Sequence, residues 1–500
     1  MASAQASGVL ITPTFFIDGR RYDGPWDETS FADAMLGRLG HRVQAAALDF
    51  AAWAPSAGAL LLIATVLSMV LMNSTLGSRF AALWEQPFGF MLGGSRFRMS
   101  LLDWINEGLL TIFFLVVGLE IKREVTVGHL TSLRSAALPT AAAIGGMAAP
   151  AILYALLIPT GPWSHGWGVP MATDTAFAVA LIAMMGSRVP VELRIFLTAA
   201  AIADDIGAIT VVAIFYSGAL DFGYAAGAVA TILALTLLNR SRVYSVAPYA
   251  LLGIVLWACV RASGIDATLA GVVLALFIPT RPPPDLTTLM VQANTILTAE
   301  AQRSGEVLRH GASVPGLRAL DSIHDRLESP ADRLLRHAGA RSSYVVLPLF
   351  ALANAGVPIT AGVLHGHELL MLAIAAGLVV GKPLGIISAS ALAIRTGIAV
   401  KAQAYSWLQL TGAGALAGIG FTMSLFIAGQ ALPAASDFMA AKLAVLGASI
   451  VSAVIGMAVL WSAGRLANGD ENAVQPDSAA PERRRARTQK WRSTEPKQSP

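Results

Sequence analysis

The sequence predicts an all-α polytopic membrane protein of about twelve transmembrane helices, and three observations carry that prediction. Hydrophobic residues fill 55% of the 500 positions and charged residues only 13%, against about 25% charged in a soluble domain. Mean hydropathy is +0.62. The charge is also segregated, gathering at the N-terminus, in 281–341 and in the last thirty or so residues, with long apolar runs between.

A helix needs about 20 largely apolar residues to cross the hydrocarbon layer. That rule places spans at roughly 56–76, 101–121, 134–158, 167–186, 191–216, 222–239, 245–261, 265–280, 342–360, 368–395, 405–430 and 439–463. Backbone groups in lipid must be paired within the segment, so spans this apolar are helices and not strands. Two of them stand apart: 167–186 carries Asp174, and 265–280 is short and begins beside Asp266.

Orientation follows from lysine and arginine. The connections at 159–168, 217–222, 357–368 and 431–438 hold neither residue. The opposite ones hold Lys122 and Arg123, Arg188 and Arg194, Arg240 and Arg242, Arg395 and Lys401, and the Arg483–Arg485 run. Arg79, Arg96, Arg98 and Arg261 run against the trend, but the asymmetry puts both termini in the cytoplasm. Pro13, Asp18, Arg20 and Arg21 interrupt any early apolar run, so no cleavable signal is expected.

The net charge of +4 reads as basic side chains beside anionic lipid headgroups, with no nucleic-acid partner. The one cysteine, Cys259, excludes an internal disulfide and any cysteine-rich metal or redox site.

Three regions follow: 1–45, a helical domain over 46–465, and a tail over 466–500 whose Pro, Arg, Glu, Ser and Gln predict disorder. Within the domain, 281–341 is expected to be a long cytoplasmic loop with one or two surface helices. At the N-terminus, Ile11 to Ile17 reads as a strand, Asp18-Gly19 as a hairpin turn, Tyr22 as the return strand, and Asp27 to Leu39 as a helix. This stretch resembles the C-terminal end of a thioredoxin-like domain of the DsbA type, with Pro13 at its cis-proline place. The Cys-x-x-Cys half is missing, so the fragment reads as vestigial, with a docking tag as the alternative.

Ionisable residues inside the membrane are costly and so informative. Asp204 and Asp205 sit in mid-span, in Ala-Ala-Ala-Ile-Ala-Asp-Asp-Ile-Gly-Ala-Ile. Adjacent helical positions point about 100° apart, so one carboxylate can face a cation while the other faces a neighbouring helix. Sodium prefers oxygen ligands. In an apolar surrounding, protons and cations compete for carboxylate oxygens, which is what an antiporter requires; the alternative is one structural salt bridge and one helix cap.

Asp174, beside Thr173 and after Pro170, suggests a span that unwinds, with the carboxylate neutralising a half-helix N-terminus. Lys382, in Gly-Lys-Pro-Leu-Gly, either pairs with Asp204, offsets a helix C-terminus, or snorkels. The glycines of Gly412 to Ser424 suggest either a second interrupted span or close helix packing. No phosphate loop, metal-ligand cluster or nucleophile triad appears, so the chain is not read as an enzyme and needs no cofactor.

Several stretches, in order, resemble the NhaA family of sodium/proton antiporters over about 50–465. They are Phe-Phe-Leu-Val-Val-Gly-Leu-Glu120-Ile-Lys-Arg-Glu124, Ala-Thr-Asp174, Ala-Asp204-Asp205-Ile-Gly-Ala-Ile, Ala-Thr-Leu-Ala-Gly at 267–271, Leu-Pro-Leu-Phe-Ala-Leu-Ala-Asn354-Ala-Gly, Gly-Lys382-Pro-Leu-Gly and Gly-Ile-Gly-Phe-Thr-Met-Ser. The resemblance implies inverted-topology repeats in which the fourth and eleventh spans are interrupted and cross, an architecture for which NhaA is itself a standard example. It implies Asp205 as primary ligand for Na+ or Li+ and as proton acceptor. Asp204 would be its partner, alternating with a contact to Lys382, and Thr173 and Asp174 would form the crossing element.

The resemblance further implies electrogenic exchange of one sodium out for two protons in, serving pH and sodium homeostasis. Glu120 and Glu124 match acids of pH activation, Glu107 stands where relatives often have aspartate, and Glu328 is the counterpart the resemblance implies for another acid of the family. Asp266 stands where relatives can carry histidine, and 281–341 replaces an acidic-histidine stretch, so no activation profile is implied. Relatives form homodimers through an external β-hairpin, for which 77–99 has a suitable length. The competing readings are a passive cation channel, which needs no protonation coupling, and a transport-dead sensor.

Overall fold

The computed structural model describes residues 16–17, 20–21, 56–92, 95–126, 133–218, 220–280, 286–302, 328–339, 342–359 and 364–473, with positions 315, 318 and 319. Strands β1 (Phe16–Ile17) and β2 (Arg20–Arg21) pair antiparallel, Ile17 opposite Arg20; the turn expected at Asp18-Gly19 lies outside the described residues. Pro13, the helix expected at 27–39 and the tail beyond 473 lie outside the described residues.

The apolar runs form helices that end where a capping side chain, proline or glycine stops them. Helix α1 (Ser56–Met72) turns by 118° into α2 (Gly77–Trp84). Strands β3 (Pro87–Leu92) and β4 (Ser95–Ser100) then form a hairpin with Pro87 opposite Ser100. The hairpin expected over 77–99 is therefore confined to 87–100, because the Gly77–Trp84 stretch, without glycine or proline after its first residue, stays helical. Ser100 opens α3 (Leu101–Thr126) with a reciprocal cap: its hydroxyl accepts from Asp103 N at 3.0 Å, and the Asp103 carboxylate accepts from Ser100 N at 3.3 Å.

Next come α4 (Leu133–Leu157), a 3-10 segment (Ser164–Met171), α5 (Thr175–Met184), α6 (Val191–Phe215), α7 (Phe222–Arg240), α8 (Val246–Ala262) and α9 (Leu269–Phe277). Helix α9 is shorter than the 265–280 expected, since Asp266 holds the preceding turn by accepting from Thr268 N at 2.8 Å. The 281–341 loop contains α10 (Leu286–Gln302) and α11 (Pro330–Leu334), the latter capped by Ser329 with proline in its first turn.

The chain closes with α12 (Ser342–Asn354), α13 (Glu368–Arg395), α14 (Trp407–Ala417), α15 (Phe421–Ala431) and α16 (Ala435–Ala473). Helix α16 runs past 466, where the tail was expected to begin, because no proline occurs before Pro476.

Among the described residues seven helices are long and apolar enough to cross a membrane, or nine when each bent pair counts as one span. Their outer faces expose Leu156, Ile214, Phe222 and Leu237, as lipid-facing surfaces do. Where helices touch, small residues let the backbones approach. A Cβ on Gly385 of α13 would collide with the Gly145 carbonyl of α4, and one on Gly146 would meet Ile386. This α4–α13 crossing lies one turn from Lys382.

Candidate cation site

Two breaks in the helical chain meet at the centre of the larger apolar core. The first lies between the 3-10 segment and α5. Gly166, Gly168 and Pro170 keep that segment from continuing as an α-helix, and Tyr216 Oη holds it by accepting from Gly168 N at 3.1 Å and donating to the His165 carbonyl at 2.6 Å. The second is Gly418-Ile419-Gly420, where α14 and α15 meet at a 47° bend. A Cβ on Gly418 would collide with the Leu378 carbonyl, so glycine is what permits the close approach.

The breaks are stitched to each other through groups the helices leave free. Asp174 N donates to the Ile419 carbonyl at 2.6 Å, and Thr173 Oγ1 to the Ala417 carbonyl at 2.9 Å. Asp174 caps two helices at once. Its Oδ1 accepts from Phe177 N of α5 at 3.0 Å, and its Oδ2 accepts from Thr422 N at 3.2 Å and Thr422 Oγ1 at 2.5 Å in α15. A negative side chain thus sits against two positive N-terminal helix ends. Lys382 does the reverse at a C-terminal end, donating to the Met171 carbonyl, the last of the 3-10 segment.

Pro383 explains how Lys382 is presented. Proline has no N–H to bond the carbonyl four residues back, and a π-helical turn occupies Gly377–Gly381 just before it. Lys382 Nζ then reaches across to α6 and donates to Asp204 Oδ2 at 2.8 Å, both side chains being almost fully buried. Asp204 Oδ1 is buried with no hydrogen-bond partner. Thr173, Asp204 and Lys382 border a cavity of about 20 Å³, room for one water.

Asp205 points elsewhere. Its Oδ2 accepts from Thr175 Oγ1, on the first residue of α5, at 3.1 Å. On one side it opens into a cavity of about 280 Å³ shared with Glu120, Asp174, Thr198, Ser342 and Thr422. On the other, Phe114, Val212, Met423 and Phe426 leave about 10 Å³. The carboxylate therefore has room on the side of α3 that carries Glu120 and is crowded by apolar side chains on the other. Oxygen groups of Asp205, Thr175 and Asp174 converge on the open side, a chemistry that suits a hard cation or a proton.

The remaining expected residues are spread more widely. Glu120 lines the open cavity, while Glu124 lies one turn further along α3. Glu107 is at the opposite end of α3, in an ion pair with Arg261, with Trp257 Nε1 donating to its carbonyl at 3.0 Å. Glu328 pairs with Arg336 at 2.8 Å, outside the helical core. Asp266 accepts from Gln430 Nε2 at 2.8 Å. Thr175, Thr422 and Arg261 were not picked out from the sequence. The hydroxyl next to Asp174 and the one after the Gly-Ile-Gly break were the signal for the first two, and nothing in the sequence pairs Arg261 with Glu107.

Fold and site together define a many-span helical membrane protein built around a buried acid–lysine centre, the build of an ion-coupled transporter. A family model described as Na+/H+ antiporter 1 matches residues 49–460. A Na(+)/H(+) antiporter NhaA of Nitrosospira multiformis is 65% identical over 475 residues, 93% of this chain and 76% of that protein. Similarity extends to a Na(+)/H(+) antiporter NhaA of Helicobacter pylori strain J99, 42% identical over 407 residues, 81% of this chain and 92% of that one. The Na(+)/H(+) antiporter NhaA 2 of Acidiphilium cryptum is 43% identical over 424 residues. The chain belongs to the Na+/H+ antiporter 1 family.

Proposed function

We propose that the protein exchanges sodium or lithium for protons across the bacterial inner membrane, electrogenically, in pH and sodium homeostasis. The observation that carries this reading is the unequal space around Asp205, a buried carboxylate that borders a cavity of about 280 Å³ on one side and only about 10 Å³ on the other. A continuous pore would leave room on both sides of it.

In this reading a proton and a cation compete for Asp205. A cation entering beside Asp205 draws Asp204 toward it and off Lys382, supplying a second negative charge; release lets Lys382 recapture Asp204. Asp174 and Thr173 hold the crossing through both states, because they compensate helix ends that the breaks leave uncovered. Adding α8, α9 and α12 to the nine candidate spans gives twelve, arranged as inverted repeats with the fourth and eleventh interrupted. Both termini and the open cavity are then cytoplasmic, which places Glu120 and Glu124 near the inner mouth as pH-regulatory candidates with Glu328, and Glu107 near the outer face. The β3–β4 hairpin is the candidate homodimer contact.

The test is sodium-induced proton release from proteoliposomes, scanned over pH, for the wild type beside Asp205→Asn. Release in the wild type and none in the variant is expected. Proton movement by neither protein at any pH would reject transport in favour of a sensor, and conduction surviving in Asp205→Asn would favour a channel.

A further inference from the structure

Helix α10 is a product of the long connection that the transport reading does not use. Over Leu286–Gln302 its sequence is Leu-Thr-Thr-Leu-Met-Val-Gln-Ala-Asn-Thr-Ile-Leu-Thr-Ala-Glu-Ala-Gln. At 100° per residue, positions 286, 289, 290, 293, 296, 297 and 300 share one face, apolar up to its last member. Thr287, Thr288, Asn294, Thr295 and Thr298 take the other, interrupted by Val291. The helix contains no lysine or arginine, and its one acid, Glu300, ends the apolar face at the last turn. Met290 and Leu297, along one edge of the apolar stripe, are 60% and 53% exposed, and Val291 is 62% exposed.

Where the connection leaves and rejoins the helical body says what covers that stripe. It leaves at Pro279–Thr280, beside a cavity of about 380 Å³ whose walls are Lys122, Arg240, Arg242, Asn239 and Tyr244. A ring of lysine, arginine and tyrosine at the ends of apolar helices marks the headgroup level. Lys122 Nζ also caps α9 there, donating to the Leu276 carbonyl at 2.8 Å. The chain returns to the same spot, where Ala331 N donates to the Pro279 carbonyl at 3.2 Å and Arg123 pairs with Asp332 at 3.5 Å. Only residues 281–285 separate that point from α10, a reach of about 20 Å at full extension.

We propose that α10 lies in the membrane interface on this face of the protein, with Met290 and Leu297 among the lipid chains and its threonines toward water. The polar face is uncharged, so attachment rests on apolar burial and not on anionic headgroups. The helix is an interfacial anchor that ties the middle of the long connection to the lipid surface.

The test uses the full chain in lipid nanodiscs with Cys259→Ser as background. Single variants Met290→Cys, Leu297→Cys, Thr295→Cys and Thr298→Cys carry an environment-sensitive fluorophore. Brominated acyl chains should quench positions 290 and 297 several-fold more than 295 and 298, with aqueous iodide giving the opposite order. The pattern should be the same in zwitterionic and anionic nanodiscs. Equal iodide access at all four positions would overturn the proposal. So would protection at 290 and 297 without bromolipid quenching, which would mean that protein covers the stripe. Loss of the pattern in zwitterionic lipid alone would overturn the claim that burial, not charge, holds the helix.

Discussion

Replacing Lys382 by methionine isolates the charge at the centre of the site. Methionine keeps most of the stem volume, so packing against Gly146 and Ile386 is largely retained, while the ammonium group is lost. The native pair is close and dry: Nζ to Oδ2 is 2.8 Å, with side chains 1% and 4% exposed. Asp204 Oδ1 already lacks a partner, so the variant leaves the whole carboxylate without one, and the Met171 carbonyl loses its donor as well. Breaking a buried ion pair by removing one member costs about 3–5 kcal/mol, whereas exchanging both members for apolar groups is often neutral or stabilising. Lys382→Met should therefore lower unfolding free energy by about 3–5 kcal/mol, and Lys382→Met with Asp204→Leu should recover most of it. The assay is a double-mutant cycle on denaturant-driven unfolding in mixed micelles. A cycle additive to within about 0.5 kcal/mol would mean the two sites do not interact, and the electrostatic account of the centre would fall.

Three further perturbations probe the surroundings. Thr422→Val removes the 2.5 Å bond to Asp174 and should cost about 1.5–3 kcal/mol, the range for a hydrogen bond to a charged group, with Thr422→Ser close to wild type in the same thermal melt. Gly385→Ala forces a methyl onto the Gly145 carbonyl; overpacking of this kind costs about 1–3 kcal/mol, and the lowered melting midpoint should come with weaker sodium-driven proton release, since Lys382 is one turn away. Glu107→Gln breaks a pair whose side chains are each 31% exposed and should change stability by less than about 1 kcal/mol; a larger loss would show that Arg261 depends on Glu107 for more than a surface contact.

The helical membrane class was legible from composition because each apolar run is a local property. A segment such as 191–216 has to be a helix in lipid whatever surrounds it, as its backbone has no other partner there. The first break was legible at Pro170, since proline acts on the backbone at its own position, whereas the glycines of Gly412 to Ser424 fitted close helix packing as well as a break. The short α9 and the trimmed hairpin were not legible, because Asp266 and the Gly77–Trp84 helix set those boundaries through local hydrogen bonds that composition does not report. The partners of the charged groups were open as well. Lys382 had three candidate roles in the sequence, and only the packing of α13 and of α6 on α4 brings its ammonium between Asp204 and the Met171 carbonyl. The unequal space around Asp205 belongs wholly to tertiary structure: Phe114, Val212 and Phe426 come from three helices far apart in the chain, and they crowd the carboxylate only when they meet. Sequence determined which residues are too costly to bury without a purpose, because that cost belongs to the side chain alone. Tertiary structure decided what each one faces, because that depends on neighbours the chain supplies from hundreds of residues away.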